Sequence, residues 1–193
     1  MPLFIVLLGY LIGSIPTAYI AGKLKTGQDI RRLGDCNMGA GNAYRKLGHA
    51  TGIAVYFADV AKGALAVLIA RWFNVSQPYI FITGAATVAG HNWPVFLGFR
   101  GGRGVSTTIG VLYILNPITM LIITLPTVLT LILFKNVILT SAFLFVLLPL
   151  LSWAFHVPGI IISYGIVLPC VIGFTHFLRI RKQPAADSKQ STP

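Results

Sequence analysis

The chain has 193 residues, of which 55% are hydrophobic and only 10% charged, with fifteen Lys and Arg against four acidic residues and no glutamate. A water-soluble domain carries about 25% charged residues, and several apolar runs here reach the roughly 17–25 residues that cross a bilayer, so the composition excludes a soluble fold. The net charge of +11 then reads as loops held against anionic lipid rather than as a nucleic-acid surface. Irregular backbone cannot face lipid, so the spans are expected to be helices and the polar loops to sit at the interface or line a cavity.

Residues 2–22 form the first apolar run, followed by Lys23 and Lys25. No basic residue precedes it, so it reads as a retained span rather than a cleaved leader. Gly13-Ser14-Ile15-Pro16 is expected to kink or loosen this helix. The longest polar loop, 23–50, holds six basic residues. Within it Asn37, Gly39, Gly41 and Asn42 place amide donors beside Arg45, a mixture suited to a phosphate or glycerol group. The competing reading is a solvated basic loop.

A second span, 51–73, contains Asp59 and Lys62, three residues apart and so on one helical face. Each would cost about 2.5–3.5 kcal/mol at the bilayer centre, so they are expected to point into the bundle and pair. A structural ion pair is favoured here over a catalytic one. A third span, 79–96, delivers His91 and then Gly98-Phe99-Arg100-Gly101-Gly102-Arg103-Gly104. Glycines let amides turn toward one point, and arginine beside them suits phosphate oxygens. A helix starting after Gly104 would add its dipole end. The stretch is expected to cradle phosphate, although it is not a P-loop fingerprint; the alternative is an ordinary glycine-rich turn.

Residues 105–134 are apolar but interrupted at Asn116-Pro117. Charge distribution decides between one helix and two: two helices turning at Asn116-Pro117 put both Lys135 and the cluster Arg179, Arg181 and Lys182 inside. Spans at 137–155 and 158–177 complete the chain. The expected fold is all-α, a polytopic membrane bundle of seven transmembrane helices with the N-terminus outside and the C-terminus in the cytoplasm. Thirteen of the fifteen lysines and arginines then lie on the inner face, Lys62 and Arg71 excepted. Residues 1–182 form one domain and 183–193 a disordered cytoplasmic tail. The two cysteines, Cys36 and Cys170, have no metal-ligand spacing, and neither a metal nor a cofactor is expected.

The residues now resemble the PlsY family, bacterial membrane-integral glycerol-3-phosphate acyltransferases that use acyl phosphate. The match runs from Gly13-Ser14-Ile15-Pro16 to about Lys182, through Asp29-Ile30-Arg31, Asp59-Val60-Ala61-Lys62-Gly63, the stretch from Gly90 to Thr107, and His176. The resemblance implies acyl transfer from acyl phosphate to the 1-hydroxyl of sn-glycerol 3-phosphate, giving lysophosphatidic acid, on the cytoplasmic side of the inner membrane. It implies membrane lipid as surroundings, the soluble enzyme that makes acyl phosphate as a partner, and no nucleic acid. By position, Arg45, Arg103, Ser141 and His176 would hold glycerol phosphate, with Asn37, Asn42, His91 and the amides of Gly101, Gly102 and Gly104 around it. His176, Arg103 and Asp35 are the candidates for chemistry, and the base is left open between His176, Asp35 and a substrate phosphate. The chain departs from the family pattern at Asp35-Cys36, where Ser-Gly or Ser-Lys is usual, at Gly41 for threonine, and at Arg179 for asparagine. No Gly-x-Ser-x-Gly elbow is present, and neither His49 nor His91 has an aspartate four residues on. Two other readings stand beside acyl transfer: a transporter or channel for a phosphorylated solute, and an inactive lipid-binding paralogue. Transporters usually carry repeated interrupted helices, and the glycine loop has no second copy.

Overall fold

A computed structural model describes residues 1–182, except for the side chains of 176 and 178–182. The expected tail, 183–193, lies outside the described residues. Among the described residues all regular structure is helical. Four helical stretches are long and apolar enough to cross a membrane, Pro2–Thr26, His49–Trp72, Pro117–Phe134 and Val137–Ala154.

The first span is two helices rather than one kinked helix, α1 (Pro2–Ser14) and α2 (Thr17–Thr26). Pro16 has no amide to continue the ladder, and α1 closes with the Ile15 amide on the Ile12 carbonyl at 3.2 Å. The second piece runs four residues beyond the expected end, to Thr26, and Gly27, with a φ of +68°, caps it.

The loop that follows is more ordered than its polarity suggests. It contains one turn of 3₁₀ helix, Ile30–Arg32, and a short helix α3 (Ala40–Leu47). Ala43 and Leu47 of α3 pack with Ala18, Ile30, Met38 and Val55 into a small core. An apolar face two turns long between glycines is too short a signal to separate from a loop in sequence. Only Gly48 parts α3 from α4 (His49–Trp72).

Next come α5 (Gln77–Asn92), ending before Trp93-Pro94 rather than at residue 96, and α6 (Val105–Leu115). The chain breaks at Asn116 as the charge distribution requires, and α7 (Pro117–Phe134), α8 (Val137–Ala154) and α9 (Gly159–Lys182) follow. Asn116 is buried, and its amide donates to Ser152 Oγ at 2.8 Å, so the polar turn is satisfied inside the bundle. The Asn136 side chain accepts from the Ile138 and Leu139 amides and caps α8.

α1 packs along α5, α4 along α6, and α7 pairs with α8, while α9 closes the bundle against α6 and α8. The α4–α6 crossing brings the backbones into close approach: a Cβ on Gly110 would stand 2.8 Å from the Val60 carbonyl carbon, and one on Gly63 3.1 Å from that of Thr107. The outward faces of α7 and α8 carry exposed Leu125, Leu133, Val146 and Trp153, apolar surface that suits lipid rather than water. The substitution Gly110→Ile is expected to force α4 and α6 apart and cost at least about 1–3 kcal/mol. A thermal midpoint in detergent equal to that of the wild-type protein would contradict this packing.

Candidate active site

The loop after α2, the loop between α5 and α6 and the start of α8 come together at one end of the bundle, and Val171 of α9 lines a cavity with Asn92 and Trp93 beside them. One side-chain link ties the first two loops together, and a second shapes the first loop from within. Asp29 caps the 3₁₀ turn by accepting from the Arg31 amide at 3.0 Å, and its Oδ2 accepts from Arg31 Nη2 at 2.7 Å. Arg31 Nη1 then reaches across to donate to the Leu97 carbonyl at 3.2 Å. The guanidinium also lies 5.5 Å from the Tyr19 ring centre. The hydrogen bonds from Arg31 hold the Asp29 carboxyl below the ordinary carboxylate range, against the opposing effect of burial.

The second link is Asn42, which is buried. Its amide nitrogen donates to the carbonyls of Leu33 and Asn37, both at 2.9 Å, and lies 3.3 Å from that of Ile30. Asn42 therefore holds the turn at 33–37 in shape rather than facing solvent. In that turn Gly34 and Cys36 have φ of +58° and +55°, and the result is to present Asp35. The Asn37 amide lies 3.4 Å from Asp35 Oδ1.

Asp35 Oδ2 accepts from Arg45 Nη2 at 2.9 Å and stands 3.5 Å from Arg103 Nη2. Arg45 comes from α3 and Arg103 from the glycine loop, so the two arginines that the family resemblance groups around one phosphate do converge. The side chains of Arg45, Asp35 and Arg103 are 52%, 34% and 30% exposed, within reach of a polar ligand from water. Burial lowers the Arg103 pKa from the ordinary arginine value, Asp35 opposes this and Arg45 adds to it; an arginine so placed stays charged. A Cβ on Gly41 would stand in ordinary contact with Arg45 Nη1 at 3.5 Å and Val137 Cγ2 at 4.0 Å. Ser141 lies one turn along α8 from Val137, half-buried, and its hydroxyl donates to the Val137 carbonyl at 2.7 Å.

The glycine loop is built differently from a cradle in which every amide faces a ligand. The Gly101 amide donates to the Asn92 carbonyl at 3.2 Å and that of Gly102 to the His91 carbonyl at 3.0 Å. These two amides satisfy the last carbonyls of α5. Gly102 is required because its Cα lies against the His91 ring, where a Cβ would collide with Nε2. Gly104 adopts φ +85° and opens α6, with Asn92 Oδ1 only 2.7 Å from where a Cβ would stand. What the loop can offer an anion is Arg103 and the first-turn amides of α6.

Beneath the loop lies a buried polar cluster. Asp59 is 1% exposed, and its Oδ1 stands 2.8 Å from Lys62 Nζ and 3.5 Å from His91 Nδ1. The Thr17 hydroxyl donates to the same oxygen at 2.6 Å, and Lys62 Nζ donates to the Ile15 carbonyl at 3.0 Å. His91 is thus buried against Asp59 under the loop, not at its surface. Thr17 was not foreseen; the signal available was a hydroxyl directly after Pro16 in an apolar run. His176 falls in α9 one turn after Ile172, which packs in one core with Val88 of α5; its side chain lies outside the described ones. Among the described residues no three His, Cys, Asp or Glu side chains gather as metal ligands would.

Between α5 and α9 runs an apolar cavity of about 200 Å³. Ala85, Val88, Val167 and Leu168 line it, with Asn92 and Trp93 at the loop end.

These features stand beside three comparisons. The family model described as glycerol-3-phosphate acyltransferase matches residues 3–184. The chain belongs to the glycerol-3-phosphate acyltransferase family. A relative named glycerol-3-phosphate acyltransferase 4, from Dehalococcoides mccartyi, is 50% identical over 94% of this chain and 98% of its own length. A glycerol-3-phosphate acyltransferase of Geotalea daltonii is 37% identical over 90% of this chain and 89% of its own. Crystal structures of PlsY, an integral membrane glycerol 3-phosphate acyltransferase, superpose with TM-scores of 0.83 for its glycerol 3-phosphate form and 0.80 for its lysophosphatidic acid form. They are 35% and 33% identical, and each match covers 94% of this chain and 90% of the other.

Two outcomes test the framework of this site. Lys62→Met leaves the Asp59 charge buried without its cation and is expected to cost about 3–5 kcal/mol, most of it recovered when Asp59→Leu is added. A double variant no more stable than K62M would contradict the pairing. Because the Asp29 pKa is depressed, its contribution is present above about pH 4 and is lost as pH falls through the folded value, below 3.8. The stability difference between wild type and Asp29→Asn is therefore expected to shrink between pH 5 and pH 3, read as thermal midpoints; a constant difference would refute it.

Proposed function

We propose that this chain transfers an acyl group from acyl phosphate to the 1-hydroxyl of sn-glycerol 3-phosphate, giving lysophosphatidic acid. The observation that carries the reading is the convergence of Arg45 and Arg103, from separate loops, on one exposed oxyanion, Asp35 Oδ2. Guanidinium donors at that spacing suit phosphate oxygens. Family membership and the forms in which PlsY was crystallised support the choice of glycerol 3-phosphate and of this product.

The chemistry needs no acyl-enzyme. An acyl phosphate is a mixed anhydride with a good leaving group, so placing the reactants and stabilising charge suffices. The glycerol oxygen attacks the acyl carbon, the bond from that carbon to the phosphate oxygen breaks, and inorganic phosphate leaves. The hydroxyl proton passes to His176 or to a phosphate oxygen. Asp35, turned toward two guanidiniums, serves as their counter-ion rather than as the base. Arg103 and the first amides of α6 neutralise phosphate charge, and Ser141 and Arg45 position the glycerol phosphate. The cavity between α5 and α9 takes the acyl chain, its loop end set beside the glycine loop.

In this reading the seven segments α1 with α2, α4, α5, α6, α7, α8 and α9 cross the bacterial inner membrane. The N-terminus is outside, the C-terminus inside, and the site faces the cytoplasm. The basic residues of the two loops and Lys135 at one end of the bundle support that orientation. Acyl phosphate comes from the soluble enzyme that makes it, on the same face. The test is purified protein in detergent with palmitoyl phosphate and glycerol 3-phosphate. Lysophosphatidic acid is expected, with kcat/KM reduced about 100-fold or more by Arg103→Ala. No product, or an R103A variant as active as wild type, would end the proposal.

A further inference from the structure

Two arginines that meet at a site for phosphate are already holding an anion that belongs to the chain. Asp35 Oδ2 lies 2.9 Å from Arg45 Nη2 and 3.5 Å from Arg103 Nη2. The carboxylate is carried on a turn pinned by Asn42, so it is delivered to the arginines rather than swinging freely. We propose that Asp35 is an internal competitor for the substrate's phosphate group, occupying the arginine pair when substrate is absent and setting how tightly a phosphate binds. This rests on the reading of Arg45 and Arg103 as phosphate ligands given above.

A guanidinium edge that serves one oxyanion in hydrogen-bond geometry is not available to a second. Asp35 takes an Nη2 donor of Arg45 and faces Nη2 of Arg103, so a phosphate that binds between the two arginines either displaces it from those edges or takes the remaining donors with two anions side by side. Displacement is feasible because all three side chains keep between 30% and 52% of their surface in water. A half-exposed ion pair of this kind is weak enough to open. The apparent affinity of a site that is competent only part of the time falls by that fraction, which here means about three- to tenfold. Loss of the carboxylate would also leave two cations facing each other, a second reason for a phosphate to bind more tightly. Asp35 is on this account a specificity-determining residue that weakens phosphate binding, opposite in sign to an aspartate that merely orients the arginines.

The test uses the full-length protein in detergent with no acyl donor present. Inorganic phosphate and sn-glycerol 3-phosphate are each titrated calorimetrically into wild type, Asp35→Asn and Asp35→Ser. Both variants are expected to bind both probes about three- to tenfold more tightly, and the double variant D35N/R45A to lose that gain. Unchanged or weaker binding in D35N and D35S, each shown folded by gel filtration, overturns the proposal, as does the absence of binding in wild type and both variants alike. Because no acyl group is present, failure of the transfer assay leaves this result standing, and tighter binding in a chain that transfers nothing separates the two.

Discussion

Charge inside an apolar bundle must be neutralised by the protein itself, because lipid supplies neither water nor counter-ion. Asp59 and Lys62 obey this by drawing in partners from elements otherwise only loosely related in sequence. The break at Pro16 leaves the Ile15 carbonyl for Lys62, and the hydroxyl of Thr17 turns to Asp59. His91, near the end of α5, faces the same carboxylate. One buried pair therefore fixes the first span, α4 and α5 against each other. The His91 carbonyl in turn receives the Gly102 amide, so the position of the glycine loop is inherited from the way two charges are paired below it.

The arginine site is assembled on this base by short polar links rather than by regular structure. Arg31 ties the loop after α2 to the Leu97 carbonyl, and Asn42 gathers carbonyls along its own loop. Neither side chain faces the arginine pair, yet both decide where Asp35 and Arg45 stand relative to Arg103. The division of labour follows from charge: the exposed groups carry the positive field that attracts an anion, and the buried ones hold the backbone that would otherwise be free to drift.

Much of this was legible in the sequence, for identifiable reasons. Helix positions follow from apolar length, and the break at Asn116-Pro117 follows from where Lys135 must lie. The Asp59–Lys62 pairing is dictated by spacing and the cost of burial. The convergence of Arg45 and Arg103 was accessible through motif resemblance, not through periodicity. The roles of Asn42 and His91 were not legible, because a polar side chain looks the same in sequence whether it serves a ligand or the backbone. Helix α3 was hidden by its length and by glycines at 39, 41 and 48. The amides of Gly101 and Gly102 were misjudged for a related reason: a run of glycines signals close approach, but not which neighbour is approached. In this loop the neighbour is the end of α5.

The cavity between α5 and α9 has a further consequence. Val167 and Val171 on its flank are exposed, so it opens sideways along the bundle rather than being sealed within it. In the function proposed for this chain, a hydrocarbon tail slides in and out laterally without passing through water. Encounter with that tail is then governed by its mole fraction in the surrounding film and by two-dimensional diffusion, whereas the polar reactant arrives at a rate set by bulk concentration and salt. Turnover of the proposed kind obeys two separate supply laws at once, one for the membrane film and one for the solution.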